Sequence, residues 1–326
     1  MQAALCAAYG GPEVVELRDV PAPVPADNEV LIRVRACTVS SGDCRVRGSN
    51  FPGGFWLPAR LMLGITRPRQ PILGTECSGV IEAVGAAVTR FRPGDAVVAF
   101  SGAGFGCHAR FKTMREDKAL VLNPTGCTFE QAAAIAFGGT TALHFLCRQG
   151  KLQPGERVLI NGASGSVGTA AVQLARHFGA HVTGVCSAAN LNLVRALGAA
   201  AAIDYNAADF ATRGERWDII LDTVGNASLA RCRDALNDNG RLLLVAGGLG
   251  QLLAAPFQSM TSGRTVAGGP APERAEDLAL LRDLVDAGAF MPVIDSRFPF
   301  DRIAAAHARA DSGRKVGNVV VTMEGA

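Results

Sequence analysis

Val158-Leu-Ile-Asn-Gly162-Ala-Ser-Gly165-Ser-Val-Gly168 is the stretch from which the rest of the chain can be read. It opens with an apolar run that does not alternate, the pattern of a strand buried on both faces. From Ser166 to Phe178 the apolar residues Val167, Ala171, Leu174 and Phe178 recur at helical spacing, and Gly179 closes the run. A strand therefore enters a glycine turn and a helix leaves it. Gly162 takes a turn conformation closed to other residues, Gly165 lets the backbone approach a pyrophosphate, and Gly168 lets the helix pack on the strand. The helix start offers unpaired N–H groups and the positive end of the dipole to phosphates. The competing reading is a packing turn with no ligand; the strand and helix around it favour the dinucleotide.

Beyond the turn the alternation of strand and helix continues. Strands are expected at His181 to Val185, Ala201 to Asp204, Asp218 to Asp222 and Arg241 to Val245, with a further one at Arg264 to Gly268. Helices are expected at Asn190 to Leu197, Ala227 to Leu236 and Ala275 to Ala287. Such alternation implies right-handed crossovers and a parallel sheet covered on both faces. The first third reads differently. Val30, Ile32, Val34 and Ala36 alternate with Arg33 and Arg35, a strand wet on one side, and Ser78 to Gly85 and Gly94 to Phe100 read as further strands. Residues 51–71 are rich in Gly, Pro, Arg and aromatics and read as an irregular apolar loop.

Composition narrows the classes. The chain has 326 residues, 48% of them hydrophobic and 19% charged, with a formal net charge of +3. That length suggests two domains with real cores. Twenty-eight arginines against four lysines form no basic run, so no nucleic-acid partner is expected. The start lacks a charged region before its apolar residues, and no stretch approaches the roughly 20 apolar residues of a membrane span, so a cytoplasmic protein with no membrane partner is expected. Nine cysteines are scattered without a CxxC, which disfavours a disulfide framework and a CxxC-type zinc lobe.

The second strand bears on which dinucleotide binds. An NAD site usually has an acidic residue about 20 residues on, to hold the ribose 2′-OH. Here the strand ends Val185-Cys-Ser-Ala-Ala-Asn190. No carboxylate repels a 2′-phosphate, and Ser187 and Asn190 are donors for one. NADP(H) is preferred, with NAD(H) possible.

Further segments carry a family resemblance: Gly74-Thr-Glu-Cys-Ser-Gly-Val-Ile-Glu-Ala-Val-Gly85, Phe91-Arg-Pro-Gly-Asp-Ala-Val, Gly162-Ala-Ser-Gly-Ser-Val-Gly168, Leu197-Gly-Ala with Asp204-Tyr205, and Gly317-Asn-Val-Val-Val321. In order and over nearly the whole length, the chain resembles the medium-chain dehydrogenase/reductase superfamily, and within it the zinc-independent quinone oxidoreductase (zeta-crystallin-like) branch. The resemblance implies an α/β fold: a GroES-like β-rich substrate domain at 1–122, rejoined by 290–326, and a Rossmann doubly wound parallel-sheet cofactor domain at 123–289, with the active site in the cleft between them. It assigns the pyrophosphate to Gly162, Ala163, Ser164, Gly165, Ser166, Val167 and Gly168, the 2′-phosphate pocket to Ser187, and the adenosine phosphate end to Tyr205. It also implies that Ser40 and Thr141 face the nicotinamide, with Ala246, Gly247 and Asn318 closing over the ring. Zinc enzymes of the superfamily take ligands from a Cys three residues before an Asp and from Gly-His-Glu. This chain has Ser40 before Asp43, and Gly74-Thr75-Glu76, so no zinc is expected.

Without a metal to polarise a carbonyl, hydride transfer is easiest onto a quinone or the β-carbon of an enone. Ser40 and Thr141 are the expected orienting hydroxyls, and Phe55 and Trp56 a lid over an apolar substrate or else a hydrophobic anchor of their loop. No convincing general acid stands out; Asp43 is a candidate, and the reading that it ties down backbone is favoured. His144 reads as a packing histidine, His108 as incidental, and His177, His181 and His307 as lying at element surfaces or ends. The expected activity is NADPH-dependent reduction of a quinone or α,β-unsaturated carbonyl. Rival readings are a zinc-free alcohol or aldehyde dehydrogenase, a pathway enoyl reductase, and a non-enzymatic NADPH-binding regulatory or structural protein. A homodimer paired through the 264–268 edge strand is expected.

Overall fold

The structure is a computed structural model that describes residues 1–323. Its contacts divide the chain into two compact units: residues 52–55 with 141–272, and residues 1–51 and 56–140 with the segment from Glu273 onward.

The first of these is built on six parallel strands. In spatial order they are Ala201–Asp204, His181–Cys186, Arg157–Asn161, Trp217–Asp222, Leu236–Leu244 and Thr265–Gly268. Counted along the chain this is the order 3-2-1-4-5-6 of a doubly wound fold, so the winding reverses between Arg157–Asn161 and Trp217–Asp222. Crossover helices such as Ser166–His177 cover the sheet, which is why the central strands are apolar throughout. Val158, Leu159, Ile160, Ile219, Ile220 and Leu221 are fully buried, each aliphatic side chain contributing about 1.5–3 kcal/mol by leaving water.

The other unit is β-rich. A path of strands runs Ile294–Pro299, Asn318–Thr322, Glu29–Val39, Glu76–Val84, Ala96–Phe100 and Leu120–Leu122, with Phe111–Arg115 paired to Glu29–Val39. A separate hairpin pairs Gln2–Cys6 with Val15–Asp19. Val30, Ile32 and Val34 enter a core shared with Ile81, Val97, Leu120 and Val319, while Arg33 is exposed, as the alternation demands. The helix Ile303–Asp311 adds Ile303, Ala306 and Ala310 to that core.

Several sequence expectations are corrected. The helix expected over 227–236 is a single turn, Leu229–Cys232, and the following strand starts at Leu236. The segment 51–71 is not irregular throughout: it contains the helix Trp56–Leu63. The helix Leu249–Ser262 was not read from the sequence at all. Pro256 and the flanking Gly248 and Gly263 hide its period, and Leu253, Phe257 and Met260 are exposed in spite of their apolarity.

Candidate active site

The glycine turn lies at the carboxyl end of Arg157–Asn161, where the winding reverses. Gly162 and Ala163 donate their N–H groups to Val185 O at 3.0 and 2.9 Å, which hangs the turn on the neighbouring strand. Gly162 has φ +83, so only glycine sits there without strain. A Cβ on Gly168 would meet Gly162 O at 2.1 Å and Ala163 Cα at 2.7 Å, so the helix approaches the strand as closely as glycine permits. A Cβ on Gly165 would find only Gly162 O, at 3.6 Å. Gly165 is also the N-cap of Ser166–His177 and provides no side-chain cap. The first N–H groups of a twelve-residue helix thus face an open cradle, a fit for an anionic pyrophosphate.

Behind this turn stands a network that sequence reading missed. Asn161 Nδ2 donates to Asp222 Oδ1 at 2.9 Å and to Asn226 Oδ1 at 2.7 Å. The Asp222 carboxylate, fully buried, also accepts from the N–H groups of Val224, Gly225 and Ala227. Thr223 Oγ1 donates to Asn161 O at 2.8 Å. The two strand ends that flank the reversal are therefore tied together by side chains. The signal was a polar residue closing each of two apolar strands.

At the end of His181–Cys186, Asn190 Nδ2 donates to Ser187 Oγ at 3.2 Å, and Tyr205 N donates to Cys186 O at 3.2 Å. Ser187, Asn190 and the exposed Tyr205 are thus brought to one strand end. Burial pushes the Cys186 thiol up to about 11, with Asp204 adding to the rise and Arg195 opposing it. Ala246 and Gly247 are buried just after Leu236–Leu244, and a Cβ on Gly225 would meet Ala246 O at 3.0 Å. Thr141 is buried in the helix Ala136–Leu143. Phe55 is half-buried in the same unit as the glycine turn.

In the β-rich unit, Ser40 closes Glu29–Val39 and caps the helix Ser41–Gly48. Its Oγ donates to Asp43 Oδ2 at 2.6 Å and accepts from Asp43 N at 3.2 Å, and Asp43 Oδ1 accepts from Gly74 N at 3.0 Å. Asp43 is fully buried and ties down backbone. Thr75 Oγ1 is buried and has no hydrogen-bond partner. Glu76, fully buried, accepts from the Thr38 hydroxyl and, at 2.5 Å, from Phe137 N. Burial raises its carboxyl to about 7, against the pull of those hydrogen bonds. Asn318 is buried and its Nδ2 donates to Val293 O at 3.0 Å. Trp56 is 56% exposed, with the Arg60 guanidinium 5.3 Å from its ring and 3.9 Å from that of Tyr9.

The histidines divide. His144 Nε2 meets Gln149 Nε2 at 3.1 Å, and His177 and His181 are exposed. His307 corrects the sequence reading: it is fully buried, edge-on to the buried His108 at 5.3 Å. Burial, with His108 and Arg47 nearby, holds its pKa well below the ordinary histidine value. His108 Nε2 lies 2.9 Å from Thr38 O, a packing role in the wall behind Ser40. All nine cysteines are free thiols, and burial pushes Cys6 and Cys232 up to about 11.

Among the described residues no group of three or more His, Cys, Asp and Glu is placed to hold a metal. Near Ser40 the carboxylates of Asp43 and Glu76 are already engaged by N–H and O–H groups, the His108 Nε2 lies against Thr38 O, and burial pushes the Cys37 thiol well above its ordinary value, away from the thiolate a metal needs. That donor set does not fit zinc, whose protein ligands are thiolate, imidazole and free carboxylate.

Residues 26–149 match the family described as "Alcohol dehydrogenase GroES-like domain", and residues 197–321 match "Zinc-binding dehydrogenase". The chain is 32% identical to the quinone oxidoreductase of Sus scrofa, over 92% of this chain and 90% of that protein. It is 32% identical to the quinone oxidoreductase of Pseudomonas aeruginosa, over 97% of each. The solved quinone oxidoreductase of Coxiella burnetii superposes with a TM-score of 0.87 at 26% identity, covering 99% of both chains. The parallel sheet, the β-rich unit and these matches agree: the chain is an oxidoreductase enzyme of the medium-chain dehydrogenase/reductase superfamily and belongs to its quinone oxidoreductase branch.

Proposed function

We propose that the protein is an NADPH-dependent, zinc-independent reductase that transfers hydride to a quinone or an α,β-unsaturated carbonyl. The observation that carries this reading is that Ser40 and Thr75 present hydroxyls while the carboxylates of Asp43 and Glu76 beside them are already hydrogen-bonded, which leaves no free ligand set for a metal. Such a site suits an acceptor whose carbonyl is already conjugated and needs only hydrogen bonds. The bound cofactor supplies the hydride. The glycine turn holds its pyrophosphate through backbone N–H groups, and Ser187 and Asn190 favour a 2′-phosphate. Thr141 and Ser40 orient the reacting groups. Ser40 commits its proton to Asp43, whereas Thr75 has a buried hydroxyl with no partner; Thr75 therefore joins them as a donor to the acceptor oxygen.

Steady-state oxidation of NADPH and NADH against a panel of quinones, enones, aldehydes and enoyl thioesters tests this. Turnover of quinones or enones with NADPH, unaffected by chelators, is expected. Turnover only with aldehydes, or only after zinc addition, overturns it. The Thr265–Gly268 edge strand, beside the exposed Leu253, Phe257 and Met260, supports a homodimer; a monomer mass by light scattering contradicts that part.

A further inference from the structure

The helix Ala136–Leu143 carries Thr140 and Thr141 and begins without a capping side chain of its own. The residues before it, Ala134 and Ile135, have none to offer, yet its first turn is buried. Unmet N–H groups in such a place each cost about 1–3 kcal/mol. The acceptor comes from another element, 61 residues earlier: Glu76 Oε2 takes the Phe137 N–H at 2.5 Å. Glu76 is itself fixed from behind by the Thr38 hydroxyl, and Thr38 O lies 2.9 Å from His108 Nε2. On the other side, a Cβ on Gly42 would touch the Phe137 ring at 3.5 Å, so the start of the helix also packs against the turn after Ser40.

We infer that Glu76 is a positioning residue: from the neighbouring strand it caps the helix Ala136–Leu143 and so fixes the rotation and height at which Thr141 is presented. Its two carboxylate oxygens are engaged by the Thr38 hydroxyl and the Phe137 N–H, so it acts through the helix. The functional consequence rests on the reading that Thr141 lines the nicotinamide. What the cap requires is an acceptor and not a charge. A carboxyl raised to about 7 by burial agrees with that, since the neutral form is tolerated in the same place.

Three variants test it, Glu76→Ala, Glu76→Leu and Glu76→Gln. Leu keeps the volume without any acceptor, in case Ala does not fold, and Gln keeps an acceptor without the charge. In the cofactor-free protein, amide exchange at 136–138 is expected to speed up about tenfold in the Ala or Leu variant, the effect of losing one hydrogen bond of ordinary strength. Its kcat is expected to fall by a similar factor, with the Kd for NADPH within about threefold of the wild type. Glu76→Gln is expected to restore both exchange and kcat. Unchanged exchange in the Leu variant, or a Gln variant as damaged as Leu, overturns the inference. A wild type that oxidises NADPH with no quinone or enone overturns the proposed function instead and leaves the exchange result standing.

Discussion

Ser40 and Asp43 exchange hydrogen bonds in both directions: the serine hydroxyl and N–H reach Asp43 Oδ2 at 2.6 and 2.8 Å, and Asp43 N returns to Ser40 Oγ at 3.2 Å. This is a reciprocal cap at the start of Ser41–Gly48, and it is buried. Ser40 therefore has a structural duty in addition to any role toward the acceptor. Ser40→Ala is expected to lower unfolding stability by about 1 kcal/mol. Asp43→Ala, which also abandons Gly74 N, is expected to lower it by roughly 3 kcal/mol. Urea melts measure both; an Asp43→Ala protein as stable as the wild type contradicts the assignment.

The last two glycines of the turn separate cofactor binding from folding. Gly165→Val places its side chain in open space within the cradle, so the protein is expected to fold normally and lose at least about tenfold in NADPH affinity. Gly168→Ala drives a Cβ into Gly162 O and is expected to lower Tm instead. Fluorescence titration and thermal melts distinguish the outcomes, and equal effects of both variants on both readouts count against the division.

Ser187→Asp would set a carboxylate at the strand end where Ser187, Asn190 and Tyr205 meet. Repulsion of a 2′-phosphate is expected to weaken NADPH about tenfold or more while NADH binding holds or improves. Comparing the two dissociation constants in wild type and variant decides it; a uniform loss for both cofactors shows that Ser187 is not near the 2′ position.

Glu76 also makes stability depend on pH. Its carboxyl titrates near 7 in the folded protein, chiefly because it is buried, and near the ordinary carboxylate value when unfolded. Between those values the folded state holds the proton more firmly, so its contribution is fully present below the unfolded pKa and is lost as pH rises through about 7. Glu76→Gln is expected to remove that decline and to exceed the wild type in Tm at pH 8. A parallel pH profile for the two proteins contradicts this.

Asp295 works in the opposite direction. Burial alone would raise it, but hydrogen bonds from Arg309, Val316 N and Ser296 outweigh that and hold it at about 2. Its stabilisation is present above the ordinary carboxylate pKa and is lost as pH falls from there through about 2. Asp295→Asn is expected to cost roughly 2 kcal/mol at pH 7 and to flatten the acid limb of the stability curve.

The sequence by itself determined a parallel sheet covered on both faces and the position of the glycine turn. Both rest on local patterns: apolar strands without alternation, a helix with its stripe at Val167, Ala171 and Leu174, and glycines three apart. It also determined that the chain carries hydroxyls at Ser40 and Thr75, because identity at a position needs no coordinates. The helix Trp56–Leu63 was hidden because its exposed residues are as apolar as its buried ones, which erases the period. Asp222, Glu76 and His307 took their meaning only from tertiary structure. Asp222 gathers donors from the strand beside it and the loop after it, Glu76 caps a helix 61 residues away, and His307 is buried against His108 from a distant helix. A hydrogen bond or a buried ring between residues far apart in the chain leaves no spacing to read, because the fold and not the sequence interval sets the distance.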